Sequence, residues 1–257
     1  IHVLILVASK DLGSALIFFI VYVVVVFIAT GNWIYLLLGA GGGCGAAVLA
    51  YRFFTHVQVR VQAWQDPFSC IDKAGYQITQ SLFAISSGGW FGLGLFRGTP
   101  TSIPYVEADF VFSAVAEELG ILFSMCVILI CISCFIMFMN ISIRLRNRFY
   151  QLIAVGLAVT YIFQVFLTIG GGTKFIPMTG VTLPLISYGG SSVLTTLIMF
   201  FIMEGLYIIR QDEGAGRGKK KRRRKRIEYE YETEEEDFED DDLAGTEEEE
   251  TSETEEE

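Results

Sequence analysis

The sequence predicts an all-α fold, a polytopic bundle of transmembrane helices, on three observations. Hydrophobic residues make up 52% of the 257 although the net charge is -10, because the charge is gathered at one end: a basic run at 217–226, then an acidic run from 228 onward. The first 210 residues are too apolar, and too poor in Lys and Glu, for a water-soluble fold of that size. Five stretches reach the roughly 20 apolar residues that a helix needs to cross a bilayer core, and helices are required there because lipid offers backbone amides no partner.

Taken in order, residues 1–9 read as the remnant of a span. With no initiator Met before them, the natural protein is expected to begin earlier. Complete spans follow at about 12–30, 33–54, 112–139, 152–170 and 192–209, none with a charge near its centre. Arg144, Arg146 and Arg148 fill the short loop between the third and fourth, and Lys219–Arg226 follow the last. Basic loops stay in the cytoplasm, which places the loops at about 55–111 and 171–191 on the extracytoplasmic side. Within the longer loop, QSLFAISSGGWFGLGLF is apolar enough to be re-entrant or interfacial. A sixth full span there would invert everything before it, and the run of Ser86, Ser87, Gly88, Gly89, Gly92 and Gly94 argues against one. The chain therefore divides into a membrane domain at 1–211 and a charged tail at 212–257, cytoplasmic and, by composition, disordered.

The basic block of the tail suits anionic lipid head groups; nucleic acid is excluded as its partner because it abuts a span and precedes a larger acidic block. Cysteine usage implies no disulfide framework, and the CISC stretch at Cys131–Cys134 lies in a span, where packing explains it.

Polar chemistry gathers in the two long loops. In TPTSIPYVEADFVFSAVAEELG, Glu107 and Asp109 precede an apolar helix, and Glu117 and Glu118 stand about two turns into it. Carboxylates at a membrane entrance are costly and mark function by default. From pattern alone, Asp109 is equally an N-cap, and Glu117 and Glu118 read as structural, paired with a basic group or facing a polar crevice. The second loop, GGGTKFIPMTGVTLPLISYGGSS, holds Pro177 and Pro184 among its glycines and cannot be helical throughout. Irregular backbone of this kind lines a cavity or simply connects two spans.

Four segments in order, KDLGSA, QDPF with GYQITQSLFAISSGGWFGLGL, EADFVFSAVAEELG, and KFIPMTGVTLPLISYGGSS, resemble the SEDS family of RodA, FtsW and SpoVE over about residues 10–210. Family members have about ten spans, so the chain resembles their C-terminal half. The resemblance implies a peptidoglycan glycosyltransferase that polymerises lipid II on the outer face of the bacterial cytoplasmic membrane, in division or cell shape, beside a class B penicillin-binding transpeptidase. The family motif Pro-Glu-x-His-Thr-Asp-Phe, aligned on Pro104 and Phe110, puts its essential Asp at Asp109, while Tyr105 and Glu107 stand where the family has Glu and His.

On that basis Asp109 is the expected catalytic base. Arg60, Lys73, Arg97 and Lys174 are the expected cations for the polyprenyl-pyrophosphate of the donor glycan, with Gln80, Ser81, Ser187 and Ser191 as further substrate-binding groups. A divalent cation, Mg or Mn, bridging Asp109 and the pyrophosphate is compatible with this chemistry. Two other readings stay open: a lipid II flippase, which would need polar groups through the bilayer midplane that these spans scarcely offer, and a non-catalytic divisome or elongasome scaffold. Whether the protein serves division, elongation or sporulation is not written in these motifs.

Overall fold

The computed structural model describes residues 11–213; the predicted span remnant at 1–9 and nearly all of the tail lie outside the described residues. The described residues up to 207 belong to one compact unit, and of the second, from 208 onward, only residues 208–213, the end of a helix, are described. The elements are α1 (Leu12–Thr30), α2 (Trp33–Phe53), α3 (Thr55–Gln65), α4 (Tyr76–Gly88), a 3-10 turn (Pro100–Ser102), α5 (Val111–Arg144), α6 (Arg148–Gly172) and α7 (Gly190–Glu213). Among the described residues there is no strand. Five of these helices, α1, α2, α5, α6 and α7, are long and apolar enough to cross a membrane; α4, with 13 residues, is too short to be a sixth span.

Side chains at the predicted boundaries fix the helix starts. Asp11 accepts the Ser14 amide at 3.0 Å, Asn32 the Ile34 amide at 3.0 Å, and Asn147 the Phe149 amide at 2.9 Å, each satisfying an otherwise orphaned N–H of a first turn. The centre of the bundle is α6, which packs against α5 and α1. Its Ala154 and Ala158 are fully buried, and small side chains there let its neighbours approach closely. Phe138 of α5, Tyr161 of α6 and Phe200 of α7 meet edge to face, with ring centroids 5.1–5.9 Å apart.

The third span is not a continuous helix. Gly120 has φ 83 and ψ 173, so α5 breaks there. Residues 121–144 alone extend about 36 Å at 1.5 Å per residue, enough to cross a hydrocarbon core of about 30 Å. The segment from Val111 to Gly120 is thereby left as a separate upper piece. Backbone groups freed by the break are paired with the loop after α4: the Leu93 and Gly94 amides donate to the carbonyls of Glu117 and Glu118 at 2.9 Å, and the Ile121 and Leu122 amides to those of Gly89 and Trp90 at 3.0 and 3.3 Å. The apolar, glycine-rich segment is thus a hairpin-like insert docked on a helix break.

The same docking explains two of the carboxylates. Glu117 accepts the Thr99 amide at 3.0 Å and Glu118 the Phe96 amide at 3.2 Å, so their partners are backbone amides flanking Arg97 and not the basic side chain or polar crevice anticipated for them. Charge-assisted bonds of this kind are stronger than neutral ones. Glu117 is 4% exposed, deep enough that such a bond decides whether the loop stays in place.

Candidate functional site

The site lies at the end of the bundle where α3, the start of α5 and the segment after α6 meet. Residues 103–110 form a strap anchored at both ends by fully buried side chains, Ile103 and Phe110, packed with Ala84, Val106 and Met178. Between the anchors the Ala108 and Asp109 amides both donate to the Tyr105 carbonyl at 3.1 Å. Phe110 is the N-cap of α5, with no side-chain cap. Asp109 is therefore not the helix cap that the pattern allowed, and its carboxylate is available for other chemistry.

A second strap, residues 173–189, folds over the first. The Phe175 and Ile176 amides return to the Gly170 carbonyl at 2.8 and 3.1 Å, which turns the chain back at the end of α6. Thr168 donates to the Val181 carbonyl at 2.8 Å. Buried Ser187 accepts the Leu183 amide at 2.8 Å and donates to the carbonyl of Ala108, while the Tyr188 amide donates to the Glu107 carbonyl at 2.7 Å. Both bonds clamp residues immediately before Asp109. Neither Pro nor the β-turn pattern of the segment would have revealed them.

From the other side, α3 holds the second strap in place. Arg60 donates through Nη1 to the carbonyls of Met178 and Thr179, both at 3.3 Å, and the Trp64 indole N–H donates to the Lys174 carbonyl at 3.1 Å. Arg60 also acts electrostatically on Asp109. Burial pushes the Asp109 carboxyl above its ordinary value, and the Arg60 charge opposes that rise. The desolvation cost is the larger of the two, so the carboxylate is held more basic than a surface aspartate. A partly buried carboxylate made more basic in this way is chemically able to take up a proton near neutral conditions more readily than a surface one.

The remaining predicted residues are dispersed. Ser81 lies in the interior, where it donates to the Gly172 carbonyl at 2.7 Å and shares a 2.6 Å bond with Ser113, tying α4 and α5 to the end of α6 directly beneath the site. Gln80 is half-buried on α4. Lys73, in the turn before α4, and Arg97, in the insert docked on α5, are exposed, and neither is in contact with Asp109. Ser191 opens α7 beside a groove about 420 Å³ in volume between α6 and α7. Lys174 is half-buried, with φ 62. Thr179 and Gly180, which sequence reasoning passed over, line a small cavity with Asp109, and a Cβ added at Gly180 would lie 3.9 Å from Asp109 Oδ2.

No group of three His, Cys, Asp or Glu side chains that could hold a metal ion occurs among the described residues. The charge that acts on Asp109 is the Arg60 guanidinium.

The sequence pattern of the FtsW/RodA/SpoVE family, described as cell cycle proteins, matches residues 1–211. The chain is 39% identical over 199 residues to the "Peptidoglycan glycosyltransferase RodA" of Mycobacterium tuberculosis, covering 77% of this chain and 42% of that protein. It is 36% identical over 204 residues to the "Probable peptidoglycan glycosyltransferase FtsW" of Neisseria gonorrhoeae, covering 76% and 43%. Its fold is similar to a chain of the solved structure described as "Structural coordination of polymerization and crosslinking by a peptidoglycan synthase complex", with a TM-score of 0.66 and 28% identity over 82% of this chain and 59% of that one. The chain spans less than half the length of these curated relatives.

Proposed function

The chain belongs to the FtsW/RodA/SpoVE family, and from that membership we propose that it forms the site-bearing part of a peptidoglycan glycosyltransferase that polymerises lipid II. The observation that carries the reading is the setting of Asp109: partly buried, made more basic than usual, and fixed by two straps beside Arg60. In the reaction the acceptor sugar hydroxyl attacks the anomeric carbon of the donor. The bond from that carbon to the pyrophosphate oxygen breaks, the hydroxyl proton passes to Asp109, and the configuration inverts.

The leaving pyrophosphate collects negative charge, which cations stabilise. Arg60 stands nearest the base, and Lys73, Arg97 and Lys174 belong to the same end of the bundle as α3, α4 and the straps. A divalent cation would be shared between Asp109 and the pyrophosphate of the substrate; loss of polymerisation on chelation and its recovery with Mg or Mn is the test. The partner proposed is a class B transpeptidase, which fits the similarity of the fold to a chain from a structure described as coordinating polymerization and crosslinking. The site faces the outside of the bacterial cytoplasmic membrane and the C-terminal end the cytoplasm, following the arginines at 144, 146 and 148.

The decisive experiment reconstitutes the protein at its natural length with its transpeptidase and lipid II and measures glycan strands. Asp109→Ala should lower the rate by roughly 10²–10⁴-fold, the usual contribution of a positioned base. Polymerisation by the variant at the wild-type rate would remove Asp109 from the chemistry.

A further inference from the structure

Beside Asp109 lies one hydroxyl that the fold leaves without a partner. Thr179 Oγ1 is buried and makes no hydrogen bond among the described residues, although the backbone of the same residue is held firmly by Arg60 through its carbonyl. Buried hydroxyls are almost always paired, with protein or with ordered water. Thr179 and Asp109 line the same small cavity, together with Thr168, Gly171, Gly172 and Gly180. Its volume is about 10 Å³, the size of one water molecule and far too small for a sugar ring. Thr168 already directs its proton at the Val181 and Gln164 carbonyls, and the glycines bring no side chain. Asp109 Oδ2 stands against Gly180, on the same short segment as Thr179.

We propose that Thr179 is a positioning residue, its hydroxyl and the Asp109 carboxylate holding one bridging water molecule between them; this rests on Asp109 being the base. The water accepts the Thr179 proton and donates to the carboxylate. A buried water with such partners is part of the structure and exchanges its bonds at a cost. Its effect is to occupy one oxygen of Asp109 and fix the rotamer, so that the other oxygen meets the acceptor hydroxyl. Sugar and pyrophosphate never touch Thr179.

The hydroxyl makes no bond to the described residues, so its removal breaks no hydrogen bond between them. Thr179→Val keeps the shape and deletes the hydroxyl; Thr179→Ser keeps the hydroxyl and deletes the methyl. In the lipid II polymerisation assay with the natural-length protein and its transpeptidase, Thr179→Val should lower kcat at least about tenfold. KM for lipid II should stay within about twofold, since the residue is not in contact with substrate. Thr179→Ser should retain kcat within about threefold of wild type. A Thr179→Val protein with wild-type kcat, or a Thr179→Ser protein as slow as Thr179→Val, would overturn the assignment. An inactive Asp109→Ala beside a fully active Thr179→Val would remove this inference and leave the base in place, whereas an active Asp109→Ala would remove both.

Discussion

Gly92→Ala tests whether the insert after α4 really seals the break in α5. At φ +78 a non-glycine residue is strained, and a Cβ there would lie 2.2 Å from the Glu118 carbonyl oxygen and 2.6 Å from the Gly120 nitrogen. Both obstacles are backbone, so no side chain can swing aside. The left-handed conformation costs about 1–2 kcal/mol. Backing the insert away also stretches the neighbouring pairs from Leu93 to Glu117 and from Gly94 to Glu118, both 2.9 Å, at about 0.5–1.5 kcal/mol each. The total is roughly 2–5 kcal/mol, which for a chain of this size corresponds to a drop in midpoint on the order of 4–20 °C. The assay is thermal unfolding of the detergent-solubilised protein. Gly205→Ala on α7 is the control, since a Cβ there meets nothing within 4 Å and helix propensity favours Ala by about 1 kcal/mol. Should Gly92→Ala melt within about 2 °C of wild type while Gly205→Ala behaves as expected, the docking of the insert on α5 is wrong.

Other expectations concern the site. The Asp109 carboxyl is raised by burial against the opposing charge of Arg60, so as pH falls the base is lost above the ordinary carboxylate range. Arg60→Met removes the opposing charge and should move the acid limb of kcat/KM to higher pH; an unmoved limb would show that Arg60 serves only the strap carbonyls. Ser81→Ala leaves the Gly172 carbonyl and the Ser113 hydroxyl short of a partner in the interior, which should cost about 1–3 kcal/mol without changing KM for lipid II. A changed KM at wild-type stability would instead make Ser81 a substrate contact. For sidedness, exposed Thr101 replaced by Cys should react with an impermeant thiol reagent added outside intact cells, and protection there would reverse the topology.

The spans were legible because long apolar stretches admit one solution in lipid; their ends ran a few residues further, as at Arg144 and Arg148, where polar residues still satisfied helix geometry and Asn147 supplied the cap. Helix α3 was not legible: THVQVRVQAWQ alternates apolar and polar residues like a strand, and only its packing against the second strap, through Arg60 and Trp64, gives it a helical role. Asp109 could be found from the family motif, yet its setting could not, since Ser187 reaches Ala108 across 79 positions of sequence. Glu117 and Glu118 announced a structural role correctly but not their partners, because backbone amides leave no mark on composition. Thr179 was hidden for a similar reason. Its hydroxyl is unremarkable until the cavity beside it is known.

The break at Gly120 splits the control of orientation along α5. In an unbroken helix the bearing of Asp109 would follow from the rotational phase of the entire span, and any shift of Phe138 or its neighbours against α6 would swing the carboxylate with it. With the ladder interrupted and its loose amides given to residues 89–94, the upper piece takes its bearing from the insert and the two straps. The insert is bonded to both pieces, so it sets the angle between them, and the direction of the Asp109 carboxylate is fixed locally and not by the phase of the whole span.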